Sequence, residues 1–196
     1  MPARNAAGTR RRETILQHAA DLASVEGLEG LTIGRLAGEL EMSKSGLFEH
    51  FGSKEGLQVA TVETAKAKLW SEVVEPASTA TPGLDRLRAL IEGYIGYLQR
   101  EVFPGGCFLS AASAEFDGRP GPVRDVIATA MRAWGAELET HAGIALRQGE
   151  LPDGTDPAQL VFELGAFATR ANALFQLYRD PAVFERARVA VTKALG

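Results

Sequence analysis

Residues 31–57 have the sequence LTIGRLAGELEMSKSGLFEHFGSKEGL, and this stretch decides the fold. Thr32 can cap one helix and Ser43 the next, because hydroxyl side chains satisfy the free amides at helix starts. Apolar residues at helical spacing give the first helix its inner face: Ile33, Leu36, Ala37 and Leu40. Since only Glu41 and Met42 lie between the two helices, the helices must cross steeply. The spacing therefore predicts a helix-turn-helix.

The second helix of such a pair lies in the major groove of DNA, with its N-terminal residues at the base edges. Its first turn here consists of Ser43, Lys44, Ser45 and Gly46, which leaves room for the backbone to come close. Lys44 is long enough to reach a guanine edge or a phosphate. Gly46 costs about 1 kcal/mol in an isolated helix, and close approach to a groove would justify that cost. We therefore expect these four residues at the DNA.

Cations and helix starts around this segment predict contacts to the phosphate backbone. The helix starts at Thr32 and Ser53 offer unpaired amides and a hydroxyl group to phosphate oxygens. Lys54 lies beside one of these starts, Arg35 lies one turn into the other helix, and His50 lies near the end of the recognition helix. Such contacts make the affinity for DNA fall as the salt concentration rises.

Each of these features has a simpler explanation when it is taken alone. Thr32, Ser43 and Ser53 could be plain helix caps, and Lys54 could be a solvated charge. Of the two phenylalanines, we expect Phe51 in the core, whereas Phe48 fits either the core or the surface. It is the combination within one short segment that favours DNA binding.

The stretch quoted above resembles the DNA-binding signature of the TetR family of transcriptional regulators, and the resemblance extends over residues 10 to about 57. It implies an all-helical homodimer that binds a short palindromic operator, usually as a repressor. It also implies a larger C-terminal helical domain that binds a small effector and supplies the dimer interface. The residues implied to lie near bases are Lys44, Ser45 and Gly46, and those near the DNA backbone are Thr32, Phe48, His50 and Lys54.

Two positions depart from that family pattern. Phe48 stands where the family usually has a tyrosine, so it offers only apolar contact, for example to a thymine methyl group. Glu41 stands where the turn usually has a glycine, and a positive φ at a non-glycine residue costs roughly 1 kcal/mol. In addition, Glu49 places a negative charge on the recognition helix.

Charge is distributed unevenly along the 196 residues. The formal net charge is −4, but residues 1–54 contain seven Lys or Arg and seven Asp or Glu, so the excess acid lies in residues 55–196. The first acid follows Arg4, Arg10, Arg11 and Arg12. We expect residues 1–9 to be a disordered basic arm, residues 10–56 the helix-turn-helix domain, and residues 57–196 a helical effector-binding and dimerisation domain. Because no segment shows sustained alternation of period two, the predicted fold class is all-α.

Composition also limits the compartment and the chemistry. One cysteine permits no internal disulfide. With no signal peptide and no apolar run of about 20 residues, the expected location is cytoplasmic.

No catalytic motif is recognisable, and Glu115 and Asp117 are explained as well by exposed loop charges as by acid-base chemistry. The three histidines are far apart, so we expect no metal, no cofactor and no enzymatic activity. A helical enzyme or carrier with a helix-turn-helix as a packing module is the alternative, and an activator or a ligand-free architectural regulator is a third hypothesis.

The C-terminal part is rich enough in apolar residues to enclose a ligand. Pockets combine apolar walls with a few polar anchors, and Asn172 and His141 suit the second role. Candidate ligand-binding residues are Phe103, Cys107, Phe108, Trp134, Leu138, His141, Phe167, Asn172 and Phe175. The alternative is that all of these are core residues, and a buried thiol is a simpler explanation of Cys107 than a redox sensor.

The helix predicted over residues 156–178 has more apolar surface than one core can cover. A helix pair from a second copy would cover the rest in a four-helix interface. The stripe expected to face the partner is Ala166, Arg170, Ala173 and Leu177. Our hypothesis for regulation is that a ligand among the long helices moves the helix that begins at Ser53, which changes the separation of the two recognition helices.

Overall fold

The computed structural model describes the backbone of residues 2–196 and the side chains of residues 8–196. The helices are α1 (Pro2–Glu26), α2 (Ile33–Glu39), α3 (Lys44–Phe51), α4 (Lys54–Leu69), α5 (Glu75–Ala77), α6 (Leu84–Gln99), α7 (Phe108–Phe116), α8 (Pro122–Arg147), α9 (Pro157–Tyr178) and α10 (Ala182–Leu195). A π-helical segment, Trp70–Val74, joins α4 to α5. No strand occurs in residues 2–196, and the predicted all-α fold is confirmed.

The first helix begins much earlier than the sequence predicted. We expected a disordered arm over residues 1–9, but α1 runs back to Pro2. The segment contains three alanines and one arginine, which are good helix formers, and its weakest position after Pro2 is Gly8. The helix therefore meets no breaker after Pro2, and proline is tolerated in a first turn.

The chain divides into two compact units. Unit 1 comprises the residues up to Ala67 together with Phe103–Ala130, and unit 2 comprises Lys68–Val102 and Met131–Gly196. The division falls within α4 and α8, whereas the sequence placed a domain boundary between residues 56 and 57. The reason lies in α7, which packs against α1 inside unit 1.

The core of unit 1 forms where short helices meet α1. Leu36 of α2 and Leu47 of α3 are fully buried. The buried side of α1 consists of Ile15, Leu16, Ala19, Ala20 and Ala23. Phe103 and Phe108 are also buried, with their ring centroids 5.8 Å apart. Within unit 1, α2 packs against α3 and α7 packs against α1.

Unit 2 has an aromatic cluster and a pair of long packed helices. Tyr94 lies 5.4 Å from Trp134 and 6.0 Å from Tyr97 between ring centroids, and Trp134 lies 6.5 Å from Trp70. Helices α9 and α10 pack along each other, with the Phe175 and Phe184 rings 4.9 Å apart. Across the described residues, every helix is too short or too polar to cross a membrane.

Candidate DNA-binding site

Side-chain caps fix both helices of the helix-turn-helix. The Thr32 hydroxyl accepts from the Arg35 amide at 3.0 Å, and the Ser43 hydroxyl accepts from the Gly46 amide at 3.2 Å. Gly52 ends α3 in the left-handed conformation, with a φ of 71°. The caps that the sequence predicted at Thr32 and Ser43 are therefore present, and they orient the first turn of α3.

The turn between α2 and α3 has the strained geometry that its sequence suggested. Glu41 has a φ of 51°, where an L-residue other than glycine costs about 1 kcal/mol. The Met42 amide closes the turn by donating to the Ala37 carbonyl at 2.9 Å. Ala37 is buried, as expected for a small residue where two helices cross closely.

One side of α3 faces away from the protein. Its exposed helical residues are Lys44, Ser45, Phe48 and Glu49, which we call the recognition face. Phe48 is 56% exposed, so its position on the surface is established, and Leu47 is buried beneath it. A Cβ on Gly46 would meet only the Ser43 hydroxyl, at 3.1 Å. The backbone at Gly46 is therefore open on its outer side, as close approach to a base requires.

Phe51 is not a full core residue, contrary to expectation. Its ring is half-buried, and the Arg12 guanidinium lies 5.3 Å from the ring centroid. The neighbouring His50 ring is 6.0 Å away between centroids. The Arg12 guanidinium of α1 thus lies against the end of the recognition helix. The sequence contains a cluster of N-terminal arginines, but it did not predict the contact between Arg12 and Phe51.

The cations predicted to meet phosphate differ in their partners. Arg35 bonds to Glu26 at 2.6 and 3.0 Å and to Glu39 at 2.8 Å. Lys54 bonds to Glu29 at 2.8 Å. Lys44, by contrast, forms no ion pair with any side chain between residues 8 and 196. Arg35 and Lys54 would thus have to leave a carboxylate before either could meet a phosphate, whereas Lys44 would not.

These ion pairs also shift the acid-base equilibria of their members. The hydrogen bond from Arg35 holds the pKa of Glu26 below its ordinary value, and the same bond raises the pKa of Arg35. The hydrogen bond from Lys54, aided by the charge of Arg119, lowers the pKa of Glu29. Glu26 and Glu29 therefore stay ionised at neutral pH.

Glu115 has a structural role that the sequence did not reveal. Its carboxylate accepts from the Leu28 amide at 2.7 Å and from the Glu29 amide at 2.8 Å. It is half-buried on α7, so it is not an exposed loop charge, which was one of the two explanations that the sequence left open. Close by, the Gly105 amide donates to the Ser24 hydroxyl at 3.1 Å. More than 80 residues separate the partners in each bond, so no local pattern could have predicted them.

The candidate ligand-binding residues fall into two groups. Phe103, Cys107 and Phe108 are buried in unit 1. In unit 2 the buried candidates are Trp134, Leu138, His141, Asn172 and Phe175, while Phe167 is half-buried. A cavity of about 170 Å³ between α9 and α10 is lined by Phe167 but by none of the other candidates.

His141 is the most unusual member of the group in unit 2. Its Nε2 lies 3.4 Å from Glu137 Oε1, and its Nδ1 is buried without a hydrogen-bond partner in the described part of the chain. Cys107, in unit 1, accepts at its Sγ from the Ser110 amide at 3.4 Å. Among the described residues, no cluster of three His, Cys, Asp or Glu side chains suits a metal ion.

A second exposed surface lies along α9. The four residues of the predicted stripe, Ala166, Arg170, Ala173 and Leu177, are all exposed. Phe162 is 71% exposed and Leu177 is 70% exposed, and Tyr178 follows at the helix end. We call the exposed residues Phe162, Ala166, Ala173, Leu177 and Tyr178 the α9 face. Exposed apolar side chains of this size in a row mark an interaction surface.

Two family models match the chain. "Bacterial regulatory proteins, tetR family" matches residues 15–61, and "Tetracyclin repressor-like, C-terminal domain" matches residues 83–191. A curated relative, the nucleoid occlusion factor SlmA of Vibrio vulnificus strain YJ016, is 30% identical over 91 residues, which is 46% of each chain. The chain thus spans less than half the length of the curated relatives that it matches.

Solved structures agree in fold with nearly the whole chain. A TetR transcriptional regulator from Chloroflexus aurantiacus has a TM-score of 0.85 at 23% identity, over 96% of this chain and 94% of that one. A TetR-family regulator from a Rhodococcus species has a TM-score of 0.82 at 20% identity, over 95% and 100%. AibR, solved with isovaleryl coenzyme A and operator DNA, has a TM-score of 0.73 at 22% identity, over 94% and 96%.

The family match extends from the first helices to the last. The C-terminal match alone covers more than half of the chain, and the N-terminal match contains the whole of α2 and α3. The exposed, capped α3 lies within the N-terminal match. The chain therefore belongs to the TetR family of bacterial regulatory proteins, and its helix-turn-helix is the DNA-binding element of that family.

Proposed function

We propose that this chain is a homodimeric transcriptional repressor that binds a palindromic DNA operator through α3 and is released by a small apolar or amphipathic ligand. The observation that carries the proposal is the recognition face, with a lysine that has no ion pair among residues 8–196, an open glycine backbone and the buried Leu47 on the other side. Family membership removes the support for the alternative of a helical enzyme or carrier, because the family consists of regulatory proteins.

The chemistry of the recognition face suits a major groove. Lys44 offers donors to guanine or phosphate, and Ser45 offers a hydroxyl group to either kind of partner. The cap at Ser43 holds the first turn in place before DNA arrives. Around this face, the hydroxyl-capped helix starts at Thr32 and Ser53, together with His50, Arg35 and Lys54, are the proposed phosphate contacts.

The α9 face and the geometry of DNA both support the proposal that the chain is a homodimer. A single helix-turn-helix contacts few base pairs, whereas two copies related by a twofold axis contact a palindrome. An isologous interface brings the same patch from each copy together, and the α9 face supplies apolar side chains for it. Exposure of Phe162 and Leu177 in the single chain is explained if a second copy covers them.

An effector is supported by the buried polar groups of unit 2. The unsatisfied Nδ1 of His141 and the buried amide of Asn172 are candidate anchors among apolar neighbours. We propose Trp134, Leu138, Phe167 and Phe175 as apolar contacts. AibR was solved with both a coenzyme A thioester and operator DNA, which shows that this fold accommodates both kinds of partner. The ligand must have different affinities for the two conformations of the dimer, which differ in the separation of their recognition helices. The coupling free energy between ligand and DNA binding is then about 1–3 kcal/mol.

The test begins with selection of duplexes from a random library by the full chain, followed by a salt titration on the selected duplex. We expect an inverted repeat, with log affinity falling linearly as log salt concentration rises. Lys44→Ala should weaken binding by roughly 10-fold or more. Lys193→Ala, which removes an exposed lysine of α10, is the matched control and should leave affinity nearly unchanged.

Two results would contradict the proposal. One is binding without any sequence preference, and the other is an equal effect of the Lys44 and Lys193 substitutions. Either would show that α3 does not contact the bases.

A further inference from the structure

Phe48 and Glu49 lie on the recognition face, but neither side chain can bind phosphate as the cations do. With about 100° per residue, Lys44, Phe48, Ser45 and Glu49 occupy an arc of about 140° on α3. All four are exposed, while Leu47 on the other side is buried. Whatever lies against this arc therefore meets all four side chains together.

Glu49 places an unpaired negative charge on that arc. The neighbouring Glu26, Glu29 and Glu39 each have a cationic partner, but within residues 8–196 no ion pair involves Glu49. Bringing an unpaired carboxylate to a phosphate-rich duplex is unfavourable unless it accepts a hydrogen bond from the DNA. In the major groove, guanine and thymine present acceptors to a side chain. Adenine presents its N6 amino donor beside the N7 acceptor, whereas cytosine presents only its N4 amino donor. A carboxylate at this position therefore selects cytosine.

Phe48 places an apolar ring on the same arc. It is 56% exposed and carries no hydrogen-bonding group. The one apolar group at the major-groove edge of a base pair is the thymine methyl group. Burying the ring against that methyl group would remove apolar surface of both from water.

We propose that Phe48 and Glu49 determine operator specificity, Phe48 by contacting a thymine methyl group and Glu49 by accepting from a cytosine amino group in each half-site. This inference rests on the proposed function, because it takes α3 to lie in the major groove. Lys44 would contact guanine or phosphate beside them, so that three side chains of different chemistry select neighbouring bases.

The experiment repeats the duplex selection with variants of the full chain. Phe48→Ala should lose the preference for one thymine and retain the others. Glu49→Gln should change one cytosine to adenine, because glutamine pairs with N6 and N7 of adenine. Glu55→Gln makes the same charge change at an exposed position on α4 and should select the wild-type motif. Equal melting temperatures of the variants would show that all are folded.

A second measurement isolates the methyl contact. Replacing the selected thymine by deoxyuridine removes only the methyl group, and should weaken wild-type binding about 5-fold, the lower end of a base-pair mismatch. The Phe48→Ala variant should bind both duplexes equally. If both variants select the wild-type motif, the assignment of these two residues is wrong although α3 still binds DNA. If the wild type enriches no duplex at all, the proposed function itself is wrong.

Discussion

The two units of this chain expose opposite kinds of surface. Unit 1 presents Phe48 among polar and charged side chains on α3, and bonds from side chains to backbone fix the start of α3 at Ser43 and the segment before α2 at Glu115. Unit 2 presents large apolar side chains on α9, above a core of packed aromatic rings. The difference shows what each partner demands. Base edges need donors and acceptors at fixed positions, whereas a second copy of the chain needs a broad apolar area.

The largest expected effect comes from placing charge on the α9 face. Phe162→Glu combined with Leu177→Glu should raise the dimer dissociation constant at least ~30-fold, since buried anchors contribute about 2 kcal/mol or more. Sedimentation velocity measures the change, and operator binding should weaken with it. Both side chains are exposed in the single chain, so the helical circular dichroism should not change.

A matched control distinguishes the α9 face from any exposed apolar residue. Met131, on α8, is also exposed, and Met131→Glu should leave the dimer intact. A monomeric Met131 variant, or a dimeric double variant, would show that the two copies do not meet through α9.

The next effect tests the bonds that Glu115 makes to the backbone between α1 and α2. Glu115→Ala leaves the Leu28 and Glu29 amides without their acceptor and should lower the free energy of unfolding by about 2 kcal/mol. The melting temperature should fall by roughly 4–8 °C. Glu139→Ala, which removes an exposed carboxylate of α8, should change it little. An unaltered melting temperature in the Glu115 variant would mean that water replaces the carboxylate without loss.

A smaller effect distinguishes the contribution of Gly46 to the stability of α3 from its contribution to DNA binding. Gly46→Ala gains about 1 kcal/mol of helix propensity, but the new methyl group meets the Ser43 hydroxyl and projects from the open side. We expect little change in stability and a roughly 10-fold loss of operator affinity, as for one lost base contact. Fluorescence anisotropy and thermal melting on the same samples provide both values. Full operator affinity in this variant would exclude close approach at Gly46.

The smallest effect concerns the pair formed by Glu29 and Lys54. Because the folded-state pKa of Glu29 is lowered, its contribution to stability is present above the unfolded-state pKa and is lost as pH falls through the folded-state value. Lys54→Met should therefore destabilise the protein slightly at pH 7, by less than about 1 kcal/mol for an exposed pair, and not at all in strong acid.

Urea denaturation at several pH values measures this difference. A destabilisation that persists unchanged at low pH would assign the role of Lys54 to packing of its aliphatic stem. In DNA binding, the same substitution should cost less affinity than Lys44→Ala, because Lys54 must first leave Glu29.

Local patterns predicted the functional segment well. The spacing of Thr32, Glu41 and Ser43 was enough for two capped helices and a tight turn, because caps and turns depend on residues within four positions of each other. The positive φ at Glu41 was suggested by the family resemblance, which usually has a glycine there, and not by the spacing itself. The extent of α1 was not predicted, since a charged, alanine-rich end can be helix or coil until its neighbours are known.

Contacts over long sequence separation were beyond such reasoning. Arg35 and Lys54 looked like free cations, and only the fold brings Glu26 and Glu29 to them. Phe51 had a core pattern, yet α1 supplies Arg12 to its ring instead. The candidate ligand-binding residues are mostly apolar, but they lie in two different units. The sequence could not separate them, because apolar residues on several helices have the same pattern whether they line a pocket or fill a core.

The amino-acid sequence by itself determined that the chain is helical, where the recognition helix begins and which small residues form its first turn, since these depend on hydrogen bonds and sterics within a few residues. Tertiary structure alone decided which charges remain available for DNA, which carboxylate accepts from the backbone between α1 and α2, and which apolar residues stay uncovered. Those outcomes depend on groups up to 87 residues apart, and proximity between such groups is created only when the helices pack.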